Sequence, residues 1–351
     1  MTRKNNKYHC KLDRAFYRSL VSKFHAGVSK RELKKTDPEQ ERKTIHTSGT
    51  LETYAQRLKM YAAWLEVAHP EVTTVKKAKK YANDWLEFRA TEAKNQKGQS
   101  LSAATVNTDA AAINKVYGIR PDDPERFAPP VRHRADITRS RGPAVRDAHF
   151  SERNNQALVD FGRGTGCRVG ILHKLRGGDL YTYADMQAKA SMLRGKASLT
   201  TDEQMDYKAL QEAIATWKSY PQYDYFILHW KDKGKRTRYA PIIGPHKAEI
   251  VQRMRNIPVG EKVWLAIPSA MDEHSYRSDY ATAFYRELAR PIEKIPYDKV
   301  DKAGRPRRSD VYSCRNDLKG VQYDRRAMCF VSKALGHNRE GVIASNYLRG
   351  I

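Results

Sequence analysis

Residues 121–147 constrain the fold more than any other stretch. They hold Pro121, Pro124, Pro129, Pro130 and Pro143 among many arginines, with few large apolar side chains. Proline fixes its own φ, lacks an N–H and pushes the preceding residue out of the helical region, so regular structure does not run through such a segment. Without apolar mass it builds no core either. It reads as an extended basic linker, and a chain of 351 residues divided there is long enough for a separate core on each side.

The N-terminal side is helical. Leu51, Tyr54, Leu58, Tyr61 and Leu65 recur at three- and four-residue steps, the stripe of a helix that Pro70 closes. A second helix is expected from about Thr74, with Ala78, Tyr81, Ala82, Trp85 and Phe88 on one face. A third begins near Ser102, turns Val106, Ala110, Ile113 and Tyr117 inward, and ends at Gly118. Residues 47–120 are therefore expected to form a small helical bundle. Residues 1–46 read as a basic N-terminal arm with one candidate helix around 15–25, either an accessory DNA-binding arm or a disordered basic tail.

The C-terminal side, 148–351, mixes two periods. A helix through Leu158 and Phe161 leads into Gly164-Thr165-Gly166-Cys167-Arg168. A helical stretch follows at about 183–219, opened by a capping-box pattern, Thr201-x-x-Gln204, with Met205, Leu210, Ile214 and Trp217 inward. The apolar runs 225–230 and 239–243 flank Lys231-Asp232-Lys233-Gly234-Lys235, which predicts a β-hairpin with a basic turn. Helices resume after about Tyr276 and run, with breaks, to the end. The expected class is mainly α with a small β-sheet (α+β).

Charge narrows the partners. Lys+Arg number 65 against 40 Asp+Glu, a net charge of +25, which points to a polyanion. No apolar run approaches the ~18 residues of a membrane span, and the first residues, Met1-Thr-Arg-Lys-Asn-Asn-Lys7, lack the apolar stretch of a secretory signal. Cys10, Cys167, Cys314 and Cys329 are scattered and form no C-x-x-C pair. They fit reduced thiols in a cytoplasm and not a disulfide frame or zinc site; no metal is expected, nor any cofactor for the chemistry that the C-terminal residues carry.

The last 40 residues carry the chemistry: Tyr312-Ser-Cys-Arg315, Leu335-Gly-His337 and Tyr347, with Arg168 far upstream. Guanidinium is planar, permanently charged and bidentate, so two arginines can fork onto the non-bridging oxygens of one phosphodiester. A tyrosine can attack phosphorus and keep the broken end as an ester, which is the chemistry of DNA strand exchange or relaxation.

In these motifs the chain resembles the tyrosine recombinase (phage-type integrase) family. The resemblance rests on Thr165-Gly-Cys-Arg168 with Leu175-Arg-Gly-Gly-Asp179-Leu180, on Lys233-Gly-Lys-Arg-Thr-Arg238-Tyr-Ala-Pro241, and on the three C-terminal motifs, in that order. It covers residues from about 45 onward and implies a helical core-binding domain and a catalytic domain closing as a clamp around DNA. It implies Arg168 and Arg315 as phosphate clamps, His337 as a hydrogen-bonding or proton-accepting group, and Tyr312 at the first position of the H/Y-x-x-R box. Lys233 would be the general acid on the leaving 5′-oxygen, with Lys231 and Lys235 as competitors. Tyr347 would be the nucleophile, with Tyr312 and Tyr323 as alternatives. Lys76, Lys77, Lys79, Lys80, Lys231, Lys235, Arg236 and Arg238 are candidate DNA contacts.

The implied function is site-specific recombination of a phage or other mobile element through a 3′-phosphotyrosyl intermediate. Double-stranded DNA, a tetramer on DNA and DNA-bending accessory proteins are the expected partners, in the cytoplasm with the nucleoid. Type IB topoisomerase action, telomere resolution, and a non-catalytic DNA-binding role on the same fold are the alternatives. The sequence also departs from the family. Ile171 stands where an acidic residue is usual, three after Arg168, and Asp179 is the expected substitute. The 183–219 helices lengthen the step from Arg168 to Lys233. Only four residues follow Tyr347, so the coupling of subunits is expected to use another element than a long tail.

Overall fold

The structure is a computed structural model that describes residues 11–28, 30–133, 150–315, 318–348 and 351. It is about 54% helical with small antiparallel sheets. The chain divides into two compact units, Met1–Asp136 and Ile137–Ile351. Residues 1–10 of the expected arm and 134–147 of the expected linker lie outside the described residues.

Among the described residues, the elements of the first unit are helical: α1 (Lys11–Val21), α2 (Lys30–Thr36), α3 (Pro38–Lys43), α4 (Ser48–Ala68), α5 (Val75–Ala78), α6 (Ala82–Thr91) and α7 (Ala103–Tyr117), with isolated bridges pairing Phe24 with Ile45 and Lys94 with Ser100. Its core holds the expected stripes, with Leu51, Leu58, Tyr61 and Leu65 of α4 against Trp85, Val106, Ala110 and Ile113. Thr47 and Ser102 cap the starts of α4 and α7, and Gly118 ends α7 in the left-handed region, φ 68°.

Two features differ from expectation. The segment read as an arm contributes Leu12, Phe16, Leu20 and Ile45 to this core, because α1 repeats apolar residues every four positions. The helix expected from Thr74 is broken. The Tyr61 hydroxyl takes the Ala78 carbonyl, so the Ala82 N–H turns to Lys79 instead and a 3-10 turn, Lys79–Tyr81, separates α5 from α6. Lys76, Lys77, Lys79 and Lys80 are all exposed on this broken segment.

The second unit begins with α8 (Gln156–Thr165), α9 (Val169–Leu172), β1 (Leu180–Thr182), α10 (Tyr183–Arg194) and α11 (Thr201–Trp217). The hairpin follows as β2 (Tyr225–Asp232) and β3 (Arg236–Pro241), and β1, which the sequence pattern does not announce, pairs with β2 to complete an antiparallel sheet of order β1-β2-β3. The helices of the 183–219 stretch bury Met186, Leu193, Leu210 and Trp217 in the main core with Phe226, Tyr239, Phe284 and Val331. Their capping box sits one residue earlier than expected, Thr200 with Glu203. A carboxylate accepts more strongly than the amide of Gln204 and suits the positive end of the helix dipole.

Then come α12 (Lys247–Asn256), α13 (Glu273–Leu288), β4 (Lys299–Val300) with β5 (Pro306–Arg307), β6 (Val311–Ser313) with β7 (Gln322–Asp324), α14 (Arg325–Leu335) and α15 (Gly341–Asn346). The two short hairpins interrupt what read as broken helix. The functional segments meet where α8, α13, α14 and the β2–β3 hairpin pack together.

Candidate active site

Arg168 is presented by a tight turn. α8 ends at Gly166 with φ 58°, where a Cβ would come within 2.7 Å of the Tyr280 ring. Glycine alone meets both demands. Cys167 then turns into the core, and Arg168 starts α9 in an extended conformation. Its side chain, 17% exposed, forms an ion pair with Asp232 at the end of β2.

His337 is set by the end of α14. Gly336 adopts φ 73°, the His337 N–H bonds to the Ser332 carbonyl at 2.8 Å, and the Gly336 N–H bonds to Lys333 at 2.9 Å, a Schellman motif. That leaves the carbonyls of Ala334, Leu335 and Gly336. Three arginines take them in turn: Arg238 Nε donates to Ala334 at 2.7 Å, Arg277 Nη2 donates to Leu335, and Arg236 Nη1 donates to Gly336 at 3.2 Å. Every carbonyl of this last turn is satisfied, and the cations sit at the negative end of the helix dipole.

Tyr347 follows α15. Its hydroxyl lies 3.0 Å from Nε2 of His337 and 3.4 Å from Nε of Arg277. Its carbonyl accepts from Ser278 and, at 3.3 Å, from Thr282, both on α13. Arg277 is fully buried, and its Nη1 donates to the Gly166 carbonyl. One guanidinium thus joins the Arg168 turn, the end of α14 and the tyrosine.

A buried polar chain backs this cluster. Arg238 Nη1 donates to Asp232 at 2.7 Å and its Nη2 contacts Nδ1 of His229 at 2.6 Å. Guanidinium can only donate, so the His229 proton is on Nε2, facing Cys167 Sγ at 3.7 Å. Four arginines (Arg168, Arg236, Arg238, Arg277) thus converge near His337, and among the described contacts their carboxylate partner is Asp232, which pairs with Arg168 and Arg238.

The titrating groups respond to that imbalance. Burial first, then the arginines Arg277, Arg168, Arg238 and Arg236, hold the His337 imidazole down to about 3. Burial and Arg277 bring Arg238 down to about 10, and His229 is lowered well below its usual range by burial and Arg238. Burial also lowers Arg277. For Asp232 burial pulls upward, but Arg238 and Arg168 outweigh it and the carboxyl stays below its usual range. The site is short of negative charge.

The structure thus brings together Arg168, His337 and Tyr347. Lys233 is exposed at the hairpin tip, as is Lys235, while Lys231 pairs with Asp202 at 2.7 Å. Arg236 and Arg238, read as DNA contacts, bond to the end of α14, and Arg238 is buried and closed to direct DNA contact. Arg315 is exposed after β6, with no described side-chain contact to the cluster. The Arg325 guanidinium lies 5.9 Å from the ring centre of Tyr312, whose hydroxyl faces Gly341. Tyr323 is buried edge-on against Tyr285, 5.6 Å between ring centres, as a packing residue. Asp179 does not reach Arg168; its carboxylate accepts the Arg176 N–H at 2.8 Å, closing a local turn.

Sequence reasoning missed Arg277, Asp232 and His229. Arg277 had two signals. It lies within the apolar stripe Tyr276, Tyr280, Phe284, and His274-Ser-Tyr-Arg277 has the same spacing as the box assigned to Tyr312–Arg315. His274 itself is exposed. Among the described residues no group of three His, Cys, Asp or Glu could hold a metal ion, and no helix is long and apolar enough to cross a membrane.

No protein-family model matches the chain, and no curated protein matches it either.

Proposed function

We propose that the second unit is a DNA strand-transferase centre, a tyrosine site-specific recombinase in which Tyr347 attacks a phosphodiester. The observation that carries this reading is the Tyr347 hydroxyl, hydrogen-bonded to a neutral histidine at 3.0 Å beside an arginine cluster whose charge the single carboxylate of Asp232 does not offset. A phosphodiester supplies the missing charge. The net charge of +25 supports a long polyanion as its source.

The reaction is an in-line displacement. The Tyr347 oxygen bonds to phosphorus as the bond to the 5′-oxygen breaks, leaving a 3′-phosphotyrosyl end and a free 5′-hydroxyl. With its ring proton on Nδ1, His337 accepts the phenolic proton through Nε2. The arriving phosphate offsets the arginines and raises the basicity of His337 for that step. Arg168 forks onto a non-bridging oxygen. Arg277, whose nitrogens are already engaged, stabilises the forming phenolate charge from behind. Lys233 at the exposed tip protonates the leaving oxygen. Attack by a 5′-hydroxyl from a partner strand reverses each step, so two duplexes in a tetramer exchange strands without ATP. The exposed lysines of the first unit would grip the same DNA, as the second jaw of a clamp.

Covalent trapping tests this. Wild-type protein and Tyr347→Phe are incubated with nicked duplexes built from the junctions flanking the coding locus, then run on a denaturing gel. The expected result is a wild-type adduct that the variant lacks. Tight binding with no adduct on any junction would move the assignment to a non-catalytic DNA-binding protein. Relaxation of plasmid DNA without a cognate site would move it to topoisomerase action.

A further inference from the structure

We propose that Asp232 is the positioning carboxylate of this centre, and that it couples the aim of Arg168 to the seating of the hairpin tip that carries Lys233. The proposal rests on the strand-transfer reading above.

The two oxygens of Asp232 have separate tasks. Oδ2 pairs with Arg168 and, at 2.7 Å, with Arg238. Oδ1 accepts the backbone N–H of Lys233 at 2.7 Å. The same buried carboxylate therefore holds the phosphate-facing arginine and the first peptide of the tip.

The strand is distorted to make this possible. His229 pairs with Arg238, and the next pair is Asp232 with Arg236, so Trp230 and Lys231 together oppose the single residue Thr237. In an unbroken strand, residues three apart face opposite sides. The bulge at Trp230–Lys231 cancels that alternation and brings Asp232 to the side of His229, where Arg238 reaches both. Lys231 takes up the left-handed backbone this needs, φ 44°. Its N–H is held by Thr237 Oγ1 at 3.2 Å and its carbonyl by Lys174 at 3.0 Å. Ile171, one helical turn after Arg168, is buried among apolar side chains and offers no acid.

Removing the charge should leave DNA affinity nearly intact and slow the chemical step. The experiment uses the full chain with nicked flanking-junction duplexes and measures single-turnover adduct formation at saturating DNA, affinity by fluorescence anisotropy, and the melting temperature. Asp232→Asn is expected to slow adduct formation by roughly 10-fold or more through misplacement of reacting groups, with affinity within about threefold. Asp232→Glu keeps the charge and should recover part of the rate. An Asp232→Asn protein that forms adduct at the wild-type rate would overturn the role. So would equal losses of rate, affinity and melting temperature in both variants, which would make Asp232 merely structural. A wild-type chain that forms no adduct removes the reaction itself, and this role with it.

Discussion

Nε of Arg277 lies 3.4 Å from the hydroxyl of Tyr347, while its two other nitrogens hold the carbonyls of Gly166 and Leu335. The residue is fully buried. Arg277→Ala should strand two buried carbonyls and cost about 3 kcal/mol or more. Arg277→Lys keeps the charge but not the three-way reach, and should cost less while still slowing adduct formation. Urea unfolding beside the trapping assay measures both.

Acid should destabilise the DNA-free protein through its histidines. His337 is held down to about 3 and His229 well below its ordinary 6.5. Below about pH 6.5 the unfolded chain therefore takes up protons that the folded chain refuses. Stability is full above that pH and falls as pH drops toward 4. The carboxylates Asp232 and Asp324, lowered in the fold, add their loss only below about pH 4. Melting temperatures from pH 7.5 to 4.5 should fall, and less steeply in His337→Asn.

The tip lysine has a specific signature. If Lys233 protonates the 5′-oxygen, Lys233→Ala should slow adduct formation by roughly 10²–10⁴-fold. A substrate with sulfur at the 5′-bridging position leaves without that proton and should restore the variant. Lys231→Ala and Lys235→Ala should show no such rescue.

Replacing Lys76, Lys77, Lys79 and Lys80 with glutamine should weaken DNA binding at all sequences alike. The slope of log affinity against log salt should fall by about 0.9 for each phosphate that the protein no longer neutralises. An unchanged slope would leave those lysines as a solvated face.

Much of this molecule was legible in the sequence wherever one strong local rule acted. The stripes of α4 and α7, the start near Ser102 and the stop at Gly118 follow from period and turn chemistry alone. So does the hairpin. What failed depended on distant partners. The break after α5 is caused by a tyrosine 17 residues away, and β1 needs the edge of β2 to exist. At the site, Arg168, His337 and Tyr347 stood out by their glycine turns and spacing. Asp232 was hidden because sequence pattern gives no hint of a bulge, and Arg277 because the same x-x-Arg spacing recurs at Tyr312–Arg315, nearer in the chain to His337 and Tyr347.

Tyr347 is moored to α13 at both ends, its carbonyl to Ser278 and Thr282 and its hydroxyl to Arg277. A tyrosine held this way cannot be lent to a neighbouring copy without giving up all three anchors. Each copy in an assembly on DNA would then cut with its own nucleophile. In mixed assemblies, a Tyr347→Phe subunit and an Arg168→Ala subunit should not complement one another, and the number of strands cut should count the intact subunits present.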